Sequence, residues 1–402
     1  MELKKSALTW DRIFKEITKE ALLKKEPLVL ILDEIQWIAK TGSGFVGKIK
    51  ETWLEWEQSR RLKVILCGSS SKFFETHAGG EETILRGLST RAALWVKPFS
   101  LHEVQKYYLS HWSLEEICMV YMMLGGVPYY LERLDPDLGF IHAINESIFT
   151  SKSIFLGEMD EILKLEFNSG GAKNVHKILS VLGQDGKTQK SIIEQAALSQ
   201  STVSGLLEKL VHYQIVFEKY PAHTPQKYQA GLRFYMKDFF MNFYFQVLYP
   251  LRNKILNNTS SLLFSEVLRS KKGFYIENFS GKAFELLLRF ILDNRSLKER
   301  LFKKLLLKDP DYSIDTYWDE KTQIDLIVEH PQDRLSRIIE CKWTTGVSPA
   351  STWIEEVNKK NYQPPPSFKR KNYLMLSQKV TSAYAARCKK SDIQVMTLED
   401  LF

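Results

Sequence analysis

Cysteine is scarce in this chain, and long apolar runs are absent from it. The four cysteines, Cys67, Cys118, Cys341 and Cys388, are scattered among 402 residues and follow no zinc-ligand spacing. No run reaches the roughly 20 apolar residues that a membrane-spanning helix needs. The opening MELKKSALTWDR holds no apolar signal-peptide core. These absences argue against a disulfide-stapled or membrane-spanning protein, so we expect a cytoplasmic protein with no membrane partner.

The composition and the charge leave the function open. Hydrophobic residues make up 44% and charged residues 26% of the chain, as in an ordinary globular protein. The length suffices for about two or three domains with full cores. A net charge of +8 and a pI near 9.0 permit binding to nucleic acid without requiring it.

Apolar patterning divides the chain into four segments. Residues 1–135 alternate helices with apolar strands such as LVLIL and LKVIL, and residues 136–170 predict a helical linker. Residues 171–237 predict three short helices and a β-hairpin, which is the winged-helix layout. Residues 238–402 predict helices followed by mixed strands. The predicted fold class is therefore multidomain α/β.

The stretch QIDLIVEHPQDRLSRIIECKW, Gln323 to Trp343, predicts two strands joined by a polar turn. Asp325 lies on the first strand, and Glu340 and Lys342 point to one face of the second because side chains alternate. Charges among Ile, Leu and Val are costly unless they are paired or bind a metal. Two carboxylates beside an amine fit Mg²⁺ and a phosphodiester, with Lys342 orienting the attacking water. The alternative is a surface hairpin with a weak ion pair.

A second acidic pair, Asp33–Glu34, follows the apolar run of LVLILDEIQW. An apolar strand that ends in such a pair is typical of the Walker B motif, in which Asp33 coordinates Mg²⁺ and Glu34 polarises the water attacking ATP. LKVILCGSS places Ser69 at the end of a second strand as a γ-phosphate sensor. Arg91 is the candidate phosphate-sensing arginine, with Arg86 as an alternative. The other reading is a strand that ends in a solvated acidic turn.

The phosphate-binding loop of such ATPases has no counterpart in this sequence. No G-x-x-x-x-G-K-[ST] occurs, and the glycine-rich TGSGFVGK follows the Walker B strand instead of preceding it. The lysine of that stretch, Lys48, is followed by Ile49. We therefore expect that ATP binding or hydrolysis by this chain is impaired, through truncation at the N-terminus or loss of the activity.

Five segments in this order resemble the archaeal-type ATPase family, whose members are similar to AAA+ and STAND ATPases. The segments are LVLILDEIQW, VILCGSSS, GGVPYYL, the winged-helix stretch through RFYMKDFFMNFYF, and GKAFELLLRFIL with QIDLIVE and IIECKW. The resemblance implies a partial P-loop domain with a helical lid over 1–135, a winged helix over 171–237, and a PD-(D/E)XK nuclease-like domain over 238–402.

The same resemblance implies roles for individual residues. Asp33 and Glu34 match the Walker B pair. Asp325, Glu340 and Lys342 match the D…ExK core, and Glu285 matches the helical acid that precedes this core and helps to hold Mg²⁺.

The last helix of the predicted winged helix, STVSGLLEKL, is a candidate DNA-binding element. Ser201, Thr202, Ser204 and Lys209 are predicted to point outward, where they could contact phosphates or base edges. The alternative is that this helix packs against the ATPase domain or a protein partner.

These observations favour a DNA-associated relative of P-loop ATPases with Mg²⁺-dependent phosphodiester hydrolysis at the D…ExK site. The alternatives are a non-enzymatic regulator that binds DNA or protein through its winged helix, self-association included, and a decayed gene product. Convergence of the carboxylates within reach of one metal ion distinguishes an enzyme from a regulator.

Overall fold

The computed structural model describes residues 9–40, 44–68, 94–183, 186–223, 231–257, 263–269, 274–294, 299–308, 311–343 and 351–402. It is a mixed α/β structure that separates into two compact units, Met1–Val96 and Lys97–Phe402. Each unit is described by itself. The described helices include none that is long and apolar enough to cross a membrane.

The first unit contains two parallel strands against helices. Its described elements are α1 (Trp10–Leu23), β1 (Leu28–Leu32), α2 (Ile35–Lys40), α3 (Phe45–Ser59) and β2 (Leu62–Leu66). Alternate residues of both strands pack on the core around Phe14 and Trp56. The other face carries Val29 and Ile31, which are 51% and 60% exposed. The strands are therefore correctly predicted, but the expectation that they are buried holds for one face only.

The second unit begins with helices that build most of its core. They are α4 (Leu101–Tyr107), α5 (Leu114–Leu124), α6 (Pro128–Leu131), α7 (Phe140–Ser147) and α8 (Phe155–Leu182). Ser113 and Glu116 form a capping box that starts α5, and every residue of this helix from Ile117 onward is buried. Helix α8 runs through the predicted domain boundary at residue 170, and the predicted boundaries stay predictions.

Two helices and a hairpin follow, and the first of the three short helices predicted before the hairpin is the C-terminal part of α8. They are α9 (Gln189–Ala196), α10 (Gln200–His212), β3 (Val216–Lys219) and β4 (Arg233–Met236). The strands β3 and β4 are antiparallel and form what we call the hairpin. The side chain of Ser199 caps the first turn of α10 by accepting the N–H of Thr202.

An aromatic helical segment connects the hairpin to the C-terminal sheet. It comprises α11 (Phe239–Phe243), a π-helical turn (Tyr244–Leu248), α12 (Tyr249–Leu256), α13 (Leu263–Arg269), α14 (Phe274–Asp293) and α15 (Glu299–Lys304). Residues 239–245 are all buried, so this aromatic run is core.

The C-terminal sheet has the strand order β5-β6-β7-β8-β9. Strands β5 to β7 are antiparallel neighbours, whereas β7, β8 and β9 are parallel. The sequence predicted β6 to β9 and α16 but missed β5 and α17. The bounds are β5 (Ser313–Trp318), β6 (Gln323–His330), β7 (Leu335–Lys342), α16 (Thr352–Lys359), β8 (Lys369–Leu376), α17 (Ser382–Lys390) and β9 (Ile393–Thr397).

Candidate active site

Strands β6 and β7 bring Asp325 and Glu340 to the same end of the sheet. The two strands pair Leu326 with Ile339, so Asp325 and Glu340 each lie next to this pair at one end of the two strands. The Oδ2 atom of Asp325 accepts the N–H of Cys341 at 2.9 Å, which fixes this carboxylate against β7. Strands β6 and β7 are therefore the two strands that the sequence predicted between Gln323 and Trp343.

Helix α14 adds a third carboxylate from one side of the sheet. Phe284, Leu287 and Leu288 of this helix are fully buried, and the Phe284 ring lies 5.1 Å from the ring of Trp343 at the end of β7. This packing sets the neighbouring Glu285 over the sheet. Its Oε1 atom lies 2.9 Å from the ammonium of Lys282 one turn earlier on the same helix.

Glu285 and Asp325 line one cleft, and the side chain of Asn242 from α11 lines it as well. Asn242 is 3% exposed, and among the described residues its Oδ1 atom has no hydrogen-bond partner. A buried amide oxygen without a partner costs free energy, so it is suited to a donor or a cation that enters the cleft.

Glu340 and Lys342 lie on the opposite face of β7. The alternate residues Ile339 and Cys341 join the core that includes α14, whereas Glu340 and Lys342 face α16 and the segment after it. The Oε1 atom of Glu340 lies 2.5 Å from the ammonium of Lys360, and Lys342 lies 3.0 Å from Glu356. The structure thus groups Glu285 with Asp325, and Glu340 with Lys342.

The charges of the two groups nevertheless act on each other. Burial raises the pKa of Glu285, and the negative charge of Asp325 raises it further. Burial and the charge of Asp325 likewise raise the pKa of Glu340, against the opposing effect of Lys360. Burial lowers the pKa of Lys342, but the hydrogen bond to Glu356 and the charges of Asp325 and Glu340 outweigh it, so its pKa is raised. This end of the sheet therefore concentrates negative charge in a poorly hydrated place.

The donor atoms of the cleft fit Mg²⁺. Among the described residues no three His, Cys, Asp or Glu side chains are placed to hold a metal ion by themselves. The cleft is instead lined by the carboxylates of Glu285 and Asp325, by Asn242, and by the cations Lys282 and Arg289. Mg²⁺ binds hard oxygen atoms and commonly takes one or two carboxylates, with water and substrate oxygens completing its shell. Two carboxylates and an amide oxygen match that requirement.

The acidic pair of the first unit has a different setting. Asp33 and Glu34 are exposed at the end of β1. The Oδ1 atom of Asp33 accepts the N–H of Glu34, whose own carboxylate accepts from Gln36 and whose φ is +49°. The predicted phosphate sensors Ser69 and Arg91, and the alternative Arg86, lie outside the described residues.

The predicted DNA-contacting residues lie along α10. Ser201, Ser204 and Lys209 are exposed, and Thr202 is half-buried. Their hydroxyl groups also have local partners, since the capping Ser199 lies within hydrogen-bond distance of both Ser201 and Thr202. The Oγ atom of Ser204 donates to the carbonyl of Gln200.

Three residues of the site were missed from the sequence. Asn242 is a lone amide in an aromatic helix, and Arg289 is a lone arginine in FELLLRFIL. A buried polar group of this kind signals a specific partner, so both were detectable in principle. Lys360, which pairs with Glu340, directly follows α16 in the polar stretch NKKN and carries no such signal.

Residues 244–360 match the family DUF234, described as archaea bacterial proteins of unknown function. The match contains Glu285, Asp325, Glu340 and Lys342. The chain is 23% identical over 317 residues to the uncharacterized protein MJECL04 of Methanocaldococcus jannaschii, which covers 78% of this chain and 67% of that protein. The structure of this chain is similar to that of the Aeropyrum pernix ORC1 protein in complex with DNA. The TM-score is 0.32 and the identity is 12%, over 63% of this chain and 72% of the ORC1 chain.

Proposed function

We propose that this protein associates with DNA and hydrolyses phosphodiester bonds with Mg²⁺ at the end of strands β6 and β7. The observation that carries the proposal is the cleft lined by Glu285, Asp325 and Asn242. Glu340 and Lys342 lie at the same strand ends, on the opposite face of β7. Carboxylates, a hard-oxygen donor and a lysine are the groups that metal-assisted phosphodiester hydrolysis uses.

Each residue has a defined part in this proposal. Glu285, Asp325 and Asn242 would hold Mg²⁺, which supplies charge to neutralise the phosphate and lowers the pKa of bound water. Glu340 would act on the cleft through its charge alone, because it lies on the opposite face of β7 and pairs with Lys360. Lys342 would exchange Glu356 for the attacking water or a phosphate oxygen, and its raised pKa keeps it protonated.

We also propose that the first unit is related to P-loop ATPases. Asp33 and Glu34 would be its Walker B pair, with Ser69 and Arg91 as contacts to ATP. We propose no ATP hydrolysis by this chain, because its sequence contains no G-x-x-x-x-G-K-[ST].

Cleavage of plasmid and linear DNA with Mg²⁺ or Mn²⁺ tests the proposal. Asp325→Asn and Lys342→Ala should each slow cleavage at least about 100-fold, because the first loses a metal ligand and the second the charge beside the reacting water. Asp33→Asn is the matched control in the other unit and should cleave like the wild type. Unchanged cleavage by Asp325→Asn, with circular dichroism confirming its fold, would contradict the proposal.

A non-enzymatic DNA-binding regulator is the second candidate. It is favoured by the partners of Glu340 and Lys342, which neutralise each charge within the protein. The exposed side chains of Ser201, Ser204 and Lys209 on α10 would then contact DNA. In this case Lys209→Ala should weaken binding and reduce the slope of log affinity against log salt by about 1. Fluorescence anisotropy with a labelled duplex measures this slope.

A further inference from the structure

The hairpin lies against the edge strand β5 of the C-terminal sheet. The N–H of Ala222, just beyond β3, donates to the carbonyl of Thr316 at 2.8 Å, so the segment continues the hydrogen bonding at the sheet edge. The ammonium of Lys219 donates to the carbonyl of Ile314 at 3.2 Å. Further along, His223 lies 3.3 Å from Glu329 of β6.

A ladder of rings and guanidinium groups joins the hairpin to the same unit. The Arg289 guanidinium from α14 lies 5.8 Å from the centre of the Phe217 ring, and Phe217 stacks on Tyr235 at 5.2 Å. Tyr235 lies 6.4 Å from the ring of Trp318 on β5, and Arg233 covers that tryptophan at 4.6 Å. Cations over aromatic faces and offset rings attract one another, so the ladder holds the hairpin in place.

Gly186 makes room for the central ring of this ladder. Its φ is +63°, and a Cβ atom built on it would come within 2.3 Å of the Tyr235 ring. Any other residue would strain the backbone and displace the tyrosine. Gly186→Ala therefore disturbs the ladder without altering a charge.

The docked hairpin forms a wall of the acidic cleft. Phe217, Tyr235 and Met236 line the cleft that also contains Glu285 and Asp325. The space open to the centres of water molecules is about 60 Å³, enough for a few waters or a hydrated ion. A nucleotide is larger than this space, so the docked hairpin hinders the approach of a DNA strand to the two carboxylates.

We propose that the hairpin is a lid over the acidic cleft and that DNA reaches Glu285 and Asp325 only after it leaves β5. This proposal rests on the function proposed above and adds the regulation of the same site. While the hairpin is docked, Lys219 and Arg233 contact β5, so these two cations are not available to DNA as those of a wing would be. Release from β5 thus opens the cleft and frees the hairpin in one step.

Carbodiimide labelling of carboxyl groups in the full chain, read by mass spectrometry, tests the lid without requiring catalysis. Gly186→Ala and Arg233→Met should raise the labelling of Glu285 and Asp325 at least about fivefold, because both weaken the ladder and favour local opening. Lys237→Met is the control, since it removes a positive charge beside β4 whose partner is Gln214 and not the C-terminal sheet. Its labelling should equal that of the wild type.

Equal labelling of these two carboxyls in the wild type and in both ladder variants would overturn the lid. DNA cleavage by the same proteins separates the two proposals. Labelling that rises in variants that never cleave DNA supports the lid and contradicts the proposed hydrolysis. Cleavage that requires Asp325, together with unchanged labelling, supports the hydrolysis and contradicts the lid.

Discussion

Both units of the chain place acidic residues at the ends of strands, but the surroundings differ. Among the described residues, Asp33 and Glu34 follow a two-stranded sheet that is packed on one face, and both are exposed. Glu340 lies at the end of a five-stranded sheet and is 1% exposed, with Glu285 and Asp325 near it. Burial and the negative charge of Asp325 raise the pKa of Glu285 and Glu340. The comparison teaches that the covering of the sheet, more than the residue type, sets the chemistry of a strand-end carboxylate.

Removing a buried ring beneath the acidic site should have the largest effect on the free energy of unfolding. Phe284→Ala should lower the free energy of unfolding by about 3–5 kcal/mol, because it removes a fully buried ring from α14. Val29→Ala on the open face of the first unit is the control and should change it by less than about 0.5 kcal/mol. Urea unfolding followed by circular dichroism measures both. Equal losses would show that the two sheets are equally covered.

Removing the cation beside Glu340 should have the next largest effect. Lys360→Met should cost roughly 2 kcal/mol at pH 9, where Glu340 is ionised and would be left buried without its partner. At pH 5 the cost should nearly vanish, since the raised pKa of Glu340 leaves it protonated there. Lys359→Met is the matched neighbour, because Lys359 is 79% exposed and pairs only at the surface. A loss of stability in Lys360→Met that does not depend on pH would contradict the pairing of Lys360 with an ionised Glu340.

Neutralising Glu285 should give the smallest change, and it should be a gain. A carboxyl whose pKa is raised on folding stabilises the native state at low pH, and that contribution is lost as the pH rises through the raised value. Glu285→Gln should therefore be more stable than the wild type by on the order of 1 kcal/mol at pH 9 and equal to it at pH 5. Thermal unfolding at the two pH values measures this, with the exposed Glu355→Gln as control. A variant that is more stable than the wild type at pH 5 only would contradict this prediction.

The sequence predicted the elements of the site better than their arrangement. Period-two patterning located the strands that carry Asp325 and Glu340, and it correctly placed Glu340 and Lys342 on one face. It did not tell that α14 covers one face and α16 the other, so the separation of Glu285 from Glu340 was not foreseen. Which helix covers a face is decided by packing between distant segments.

Structural features with weaker sequence patterns were not predicted. Strand β5 alternates buried and exposed residues in SIDTYW, which is a strand signal, yet it is short and follows a lysine-rich helix. The aromatic run around Asn242 is apolar enough to be core, but this pattern does not indicate that Asn242 lines a cleft. Such a detail depends on the rotation of one helix against its neighbours.

Titration of Mn²⁺ into the whole chain, followed by calorimetry, tests the central claim most directly. The account predicts saturable binding that Asp325→Asn weakens at least about tenfold, because a ligand of the cleft is lost. Glu355→Gln should bind like the wild type, since this exposed carboxylate of α16 pairs with Lys359 at the surface. Binding that survives Asp325→Asn unchanged, or that disappears with Glu355→Gln, would contradict the account.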